Sequence, residues 1–316
     1  MKVIKYTADK AKEWDAFVAK STNATFLLFR EYMDYHADRF SDYSLMFYDD
    51  NDHLCALLPA NIISDTLFSH QGLTYGGLIV TKKTLAGMVI ECFTALKKYL
   101  CDNHFTKFIY KAIPYIYHQL PSDADLYALF SIMHGHVVKR DISSAILLNN
   151  RLSFSESRRS GIRKALRENL VFEESDSFEA FWHMLETNLS SRYDTKPVHT
   201  LQEIELLHSR FPENIRLFTV KRGRDILAGT VLYLTHTVVH TQYIASSAEG
   251  RSIGANDFLF DNIINGNLFS SQQYFDFGIS TDPKTNKINA KLLFQKEHFG
   301  GRAICYDTYE VHLDTQ

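Results

Sequence analysis

The side chains best able to do chemistry are concentrated between residues 240 and 296. An apolar strand predicted over residues 240–245 leads through Arg251-Ser-Ile-Gly-Ala-Asn256 into a predicted helix. A strand that ends in a glycine-containing turn before a helix directs several backbone N–H groups and the positive end of the helix dipole to one point. This pattern predicts an anion site, most often for a phosphate, with the candidate residues Ile244, Ala245, Ser246, Arg251, Ser252, Ile253, Gly254, Ala255 and Asn256.

An ordinary helix entry would give the same pattern without binding anything. The two interpretations differ in the expected effect of Gly254→Glu. The anion site predicts that donor binding is lost, whereas the helix entry predicts only a modest loss of stability.

Three side chains in the same stretch are candidates for proton transfer. Asp276 lies in an apolar strand predicted at residues 274–277, where a carboxylate is costly unless it is paired or hydrogen-bonded. It is either a general base with a raised pKa or a structural acceptor for N–H groups. His240 and Tyr243 could deprotonate an attacking amine, although both are also common as structural residues of a sheet.

Aromatic and basic residues elsewhere could contact substrates. Tyr75, Tyr117 and His118 could line an acceptor pocket, because aromatic rings stack on sugars and bases, but they could equally be packing residues. His199, which precedes a predicted helix, is a further candidate for substrate binding. The basic run over residues 151–170 could meet donor phosphates or could be the solvated face of a helix.

Composition restricts the classes of protein that this chain can represent. A length of 316 residues favours two domains, and a net charge of -3 with a pI near 6.5 argues against a surface devoted to nucleic acid. The sequence has no secretory signal and no apolar run long enough for a membrane span, so we expect a cytosolic protein without membrane insertion. The four cysteines are scattered and no metal-binding motif is present, so no metal cofactor is expected.

The order of predicted elements is similar in the two halves. Each half has helices, an antiparallel hairpin, a glycine-bearing segment, a long helix and a short apolar strand, followed by further elements. Strands are predicted at residues 136–139 and 145–148, and a turn at residues 246–255. We therefore predict two copies of one α+β unit, over residues 1–150 and 151–316.

This order of elements, with its glycine turn, resembles the GNAT acyltransferase fold. The GNAT pyrophosphate loop is written Gln/Arg-x-x-Gly-x-Gly/Ala; Arg251 and Gly254 match it, and Asn256 departs from it. The whole chain resembles the tandem-GNAT proteins of the FemABX type and their acetyltransferase relatives. The features that carry this resemblance are Arg158-Arg-x-x-Ile-Arg-Lys-Ala165, Pro197-Val-His199, Phe211-Pro212, Asp276-Phe-Gly278, Asn289, Phe294-Gln-Lys296 and Phe299-Gly300.

The resemblance implies an acyltransferase with two tandem GNAT-like domains, each a mixed, mostly antiparallel sheet flanked by helices. The second domain would bind acetyl-CoA or another acyl-CoA, and the first would be degenerate and shape the acceptor site. The acceptor would be an amine or hydroxyl of a cell-envelope or polysaccharide precursor, and Lys296 matches a lysine thought to steady the charged intermediate. Direct transfer is expected, because no Cys–His or Ser–His arrangement indicates a covalent intermediate.

Two alternatives remain open from the sequence. One is a FemABX-type transferase that takes its donor from aminoacyl-tRNA; the absence of an extended charged heptad segment argues against it. The other is a binding protein that keeps the fold and has lost the chemistry, which Asn256 at the end of the loop favours.

Overall fold

The computed structural model describes residues 1–193, 195–282 and 285–313, with the side chains of all but Arg192 and Tyr193. Backbone packing divides the chain into two units, Met1–Asp141 with Cys305–Gln316, and Ile142–Ile304. These units differ from the predicted ranges 1–150 and 151–316 in where the division falls and in the placement of the last residues. The separate roles assigned to the two ranges stay a prediction.

The first unit contains strands and helices that alternate in short segments. In chain order they are β1 (Lys2–Lys5), α1 (Ala11–Val18), α2 (Arg30–Met33), β2 (Leu45–Tyr48), β3 (Leu54–Leu58), β4 (Asn61–Ile63), β5 (Thr66–Phe68), α3 (Ala86–Asp102), β6 (Lys107–Lys111), α4 (Ala124–Ser131) and β7 (His136–Leu147). β7 crosses into the second unit. It is one continuous strand, so the prediction of two strands at 136–139 and 145–148 is wrong.

The second unit continues from β7 with longer helices and strands. They are α5 (Glu156–Ala165), β8 (Val171–Glu174), α6 (Phe178–Tyr193), α7 (Leu201–Arg210), β9 (Ile215–Arg222), β10 (Asp225–Leu234), β11 (Val238–Ser246), α8 (Ala248–Ile253), α9 (Ala255–Asn265), β12 (Tyr274–Ile279) and α10 (Ala290–Glu297). β13 (Arg302–His312) closes the described chain and lies mainly in the first unit. The predicted turn at 246–255 contains the short helix α8.

Local sequence explains the first unit's strands. The predicted hairpin is confirmed as β2 and β3, which pair antiparallel. Asp49 fixes their turn by accepting hydrogen bonds from the backbone N–H groups of Asn51 and His53, at 2.9 Å each.

A further sheet has the order β4-β5-β6-β13-β7, and the apolar face of α3 packs in the core with Phe108 and Tyr110 of β6. Thr7, which precedes α1, makes no side-chain capping bond.

The second unit's sheet has the order β7-β12-β11-β10-β9-β8, and α9 packs in its core. Its β11 and β12 are parallel, whereas the other neighbouring strands are antiparallel. The pairing of β11 with β12 runs from Val238↔Tyr274 to His240↔Asp276, but β11 continues to Ser246. A bulge between Asp276 and Ile279 accompanies this separation. The two strands therefore diverge in the middle of the sheet.

The mixed sheets and flanking helices confirm the predicted α+β class. None of the helices in the described ranges combines the length and apolar composition needed to cross a bilayer.

Candidate functional site

A cavity of about 390 Å³ lies in the second unit where β11 and β12 diverge. Strand residues, the start of α9 and one face each of α6 and α10 enclose it. Its lining residues are Arg158, Leu185, Asn188, Leu189, Ile244, Ala245, Ser246, Arg251, Gly254, Asn256, Asp257, Phe260, Phe277, Leu292, Gln295, Lys296 and Phe299. Three aromatic rings and several leucines make part of the wall apolar, and two arginines and a lysine bring positive charge. Such a cavity suits a ligand with an apolar arm and an anionic group.

Six of the nine predicted donor-binding residues line this cavity: Ile244, Ala245, Ser246, Arg251, Gly254 and Asn256. The other three do not. Ile253 and Ala255 are buried in the core, and Ser252 is exposed, with its carbonyl accepting a hydrogen bond from Lys164 Nζ at 2.6 Å.

Arg251 holds the end of β11 at the polar part of the cavity. Its guanidinium donates to the carbonyl oxygen of Ser246 and to Asn188 Oδ1. The Asn188 side-chain amide also donates to the Ser246 carbonyl, at 2.9 Å. Asn188 of α6 therefore contacts two of the residues predicted from sequence, Ser246 and Arg251. Sequence analysis missed Asn188 because this tertiary contact leaves no local pattern.

Gly254 separates α8 from α9 and has no room for a side chain. Its φ is +83°, which favours glycine, and an added Cβ would lie 2.3 Å from the carbonyl oxygen of Gly161 in α5. Gly254→Glu would therefore disrupt the fold itself. The expectation that this substitution separates an anion site from an ordinary helix entry is wrong, because the contact with Gly161 makes a large loss of stability follow whether or not an anion binds.

Asp257, in the first turn of α9, links that helix to α5 through an ion pair. Arg158 donates to its carboxylate at 2.8 Å, and the second carboxylate oxygen lies against the backbone of Gly161. Burial raises the pKa of Asp257, and the ion pair with Arg158 opposes that rise. Arg158 also stacks over the Phe299 ring, with 4.6 Å from its guanidinium carbon to the ring centroid. This contact orders one wall of the cavity.

Gly161→Ala is expected to destabilise the protein by about 1–3 kcal/mol, because overpacking of a tight site costs that much. The added Cβ would fall 1.9 Å from an Asp257 carboxylate oxygen. Urea unfolding measures the change. Gly87→Ala is the matched control: Gly87 lies in α3 with no atom near an added Cβ, so about 0.5–1 kcal/mol of stabilisation is expected. Equal effects in both variants would contradict the packing of α5 on Asp257.

Lys296 is a buried lysine whose ammonium faces the cavity region. Only 5% of the residue is exposed, and Nζ donates to the carbonyl oxygens of Gly278 at 2.7 Å and Ile279 at 2.8 Å. Burial lowers its pKa to about 8, and the nearby Asp276 carboxylate opposes this shift. Lys296 is therefore not a solvated surface lysine. An ammonium has three N–H donors, so one can point to a bound group.

Asp276 forms a hydrogen-bonded chain with His240 and Ser143. Asp276 is fully buried and accepts hydrogen bonds from Ser143 Oγ at 2.5 Å and His240 Nδ1 at 2.8 Å. A carboxylate acceptor places the proton of a neutral imidazole on Nδ1 and leaves Nε2 as the basic nitrogen. The His240 ring packs against Gly278, whose carbonyl binds Lys296. The sequence did not indicate Ser143, which the antiparallel pairing of β7 with β12 brings to Asp276.

Tyr243 and His199 bind each other and do not line the cavity. His199 Nδ1 lies 2.5 Å from Tyr243 Oη, and the His199 backbone N–H donates to the same oxygen at 3.2 Å. Burial raises the pKa of Tyr243 to about 12. Trp182 packs edge-on against the Tyr243 ring. Tyr243, the predicted base, and His199, the predicted substrate-binding residue, therefore contact each other in a buried group beside α6. Their functional roles stay predictions.

The candidate acceptor residues of the first unit are mostly packing residues. Tyr75 is 1% exposed, and its ring lies 4.6 Å from that of Tyr117. The Tyr117 hydroxyl lies 3.1 Å from the Tyr306 hydroxyl. His118 is largely enclosed, and burial lowers its pKa. Their proposed contact with an acceptor stays a prediction.

Comparisons with known proteins agree with this geometry. Residues 153–284 match the model of the acetyltransferase (GNAT) domain, a range that contains much of the cavity lining. FemX superposes with a TM-score of 0.68 at 14% identity, covering 99% of this chain and 98% of that chain. The C-terminal domain of a putative lysylphosphatidylglycerol synthetase from Agrobacterium fabrum gives 0.61 at 12% identity, covering 96% and 91%.

A tandem GNAT protein from the clavulanic acid biosynthesis pathway gives a TM-score of 0.53 at 9% identity, covering 100% of this chain and 99% of that chain. A sequence search of curated proteins found no significant match. The structural matches establish the fold, and the match over residues 153–284 identifies the domain. Residues 153–284 thus match a GNAT acetyltransferase domain, and the chain shares the fold of tandem GNAT proteins.

Proposed function

We propose that the protein is an acyltransferase that binds acetyl-CoA or another acyl-CoA in the cavity of the second unit. The main support is the position of that cavity at the divergence of β11 and β12, with Arg251 at its polar part and Lys296 in its wall. An acyl-pantetheine arm would lie along the apolar wall of Phe260, Phe277 and Leu292. The anionic part of the donor would meet Arg251 and the N-terminus of α9.

The proposed reaction is direct transfer to an amine or hydroxyl of a cell-envelope or polysaccharide precursor. The acceptor atom bonds to the acyl carbon, a tetrahedral oxyanion forms, and the C–S bond then breaks. The proton lost by the acceptor is finally taken up by the departing thiolate. Lys296 would donate a hydrogen bond to the oxyanion, since charged donors aimed at that oxygen lower the barrier. His240, oriented by Asp276, is our candidate for carrying the proton.

Calorimetric titration tests the choice of donor. We expect saturable micromolar binding of acetyl-CoA to the chain, with weaker binding of adenosine 3′,5′-bisphosphate, which lacks the acyl-pantetheine arm. No binding of any CoA compound, together with binding of a 3′-aminoacyl-adenosine analogue, would overturn the proposal in favour of an aminoacyl donor. Binding of neither compound would favour a protein that keeps the fold and has lost the chemistry.

One observation favours the aminoacyl-tRNA donor as the second candidate. Asn256 occupies the position where the CoA loop has glycine or alanine, and its Oδ1 is buried without a hydrogen-bond partner among the residues that the structure describes. Asp257 places a carboxylate next to it in the same cavity. Hydrogen-bond acceptors suit the ammonium of an aminoacyl group better than they suit a pyrophosphate.

Asn256→Ala separates the two donors. If the donor is an acyl-CoA, removing an acceptor that faces the phosphates should tighten acetyl-CoA binding about fivefold, which corresponds to about 1 kcal/mol. Calorimetry measures the change, and Asn265→Ala, an exposed position on the same helix, is the control. Weaker binding of acetyl-CoA to Asn256→Ala would contradict the proposed donor.

A further inference from the structure

We propose that His136, Glu310 and His312 form a divalent transition-metal site in the first unit, with Zn²⁺ as its ion. Their ligand atoms all lie within 4.8 Å of one another. None of the three lines the cavity of the second unit, so this site is separate from the proposed acyl transfer.

The sheet places these three side chains together. On β13, Val311 points into the core, so Glu310 and His312 share the opposite face. His136 is the first residue of β7, the neighbour of β13 in the sheet. The rings of His136 and His312 are nearly parallel, with an interplanar angle of 12° and 6.1 Å between centroids. The sheet thus provides three ligands. Glu310 and His312 lie two residues apart on β13, and His136 comes from the adjacent strand β7.

The ligand set matches the chemistry of zinc. His312 Nε2 already lies 2.8 Å from Glu310 Oε1, and His136 and His312 are exposed, so small rotations can bring the three donors to bonding distance. Two imidazoles and one carboxylate leave a fourth tetrahedral position for water or another ligand.

Lys107 orients the Glu310 carboxylate. It lies on β6 directly opposite His312, and its ammonium donates to Glu310 Oε2 at 3.0 Å. The other carboxylate oxygen, Oε1, is the one that faces His312. A hydrogen bond to one carboxylate oxygen holds the side chain in place while the other oxygen binds the metal.

Titration of the untagged, full-length chain with ZnCl₂ tests this site. We expect one ion to bind per chain with micromolar or tighter affinity, and each of His136→Ala, Glu310→Gln and His312→Ala to weaken it at least about tenfold. His183→Ala, an exposed histidine on α6, is the control and should bind as the unaltered chain does. Co²⁺ should give a visible absorption band with the intensity of a four- or five-coordinate ion.

Two results would overturn the proposal. One is the absence of saturable binding at one equivalent. The other is binding whose affinity is unchanged in His136→Ala and His312→Ala, which would mean adventitious binding at other groups. Circular dichroism of each variant distinguishes loss of the site from loss of the fold.

Discussion

Leu189→Trp is expected to weaken acetyl-CoA binding at least about 100-fold, or about 2.8 kcal/mol. Leu189 lies on α6 and lines the cavity, so a larger indole there would occupy space that the donor needs. The substitution removes no charge and no hydrogen-bonding group. It therefore tests occupancy of the cavity alone, and calorimetric titration with acetyl-CoA measures the result.

Leu206→Trp is the matched control. Leu206 lies on α7, is 42% exposed and does not line the cavity, so the same change of side chain should leave donor affinity unaltered. Thermal unfolding of both variants shows whether either one loses stability. Unaltered acetyl-CoA binding by a folded Leu189→Trp variant would place the donor outside this cavity.

Lys296→Met is expected to lower kcat about 100- to 1,000-fold while changing the dissociation constant of acetyl-CoA by less than about threefold. Methionine keeps the length of the side chain but removes the charged donor proposed for the oxyanion. An interaction made only in the transition state lowers kcat and kcat/KM together. Release of the CoA thiol, with any amine acceptor that supports turnover, gives both constants.

The same substitution should change two pH dependences. The pKa of Lys296 falls from 10.5 in the unfolded chain to about 8 in the folded protein, so the unfolded chain binds more protons between these values. The contribution of Lys296 to the free energy of unfolding therefore rises with pH from about 8 to 10.5, and Lys296→Met lacks this rise. Activity that needs the charged ammonium should decline as pH rises through about 8.

Lys291→Met is the control for both measurements, since Lys291 is an exposed lysine on the same helix. A Lys296→Met enzyme that keeps its kcat would remove the proposed oxyanion role and leave Lys296 as the residue that holds the Gly278 bulge. A larger effect on donor binding than on kcat would instead assign Lys296 to ground-state binding.

Local sequence was sufficient for the elements that carry the site. The strand, the glycine turn and the helix around Arg251 and Gly254 could be predicted because hydrophobic period and turn chemistry are local properties. The costly carboxylate of Asp276 in an apolar strand also pointed to a partner, and the structure supplies His240 and Ser143. For each of these, the signal lies within a few neighbouring residues.

Tertiary contacts account for what could not be predicted. Asn188 and Leu189 reach the cavity only because α6 packs along β11, and no periodicity in α6 indicates a ligand. The need for glycine at 254 comes from Gly161, far away in sequence, which is why Gly254→Glu looked like a selective test. For Tyr75 and Tyr117 the sequence signal is the same whether an aromatic ring packs or binds; both rings are buried and lie close together, and their contact with an acceptor stays a prediction.

The most direct test of the proposed site is a crystal structure of the protein with an unreactive thioether analogue of acetyl-CoA. The analogue should lie where β11 and β12 diverge, with its acyl oxygen within hydrogen-bonding distance of Lys296 Nζ and its pyrophosphate beside Arg251 and the start of α9. An analogue bound elsewhere on the chain, with this cavity left to solvent, would contradict the account.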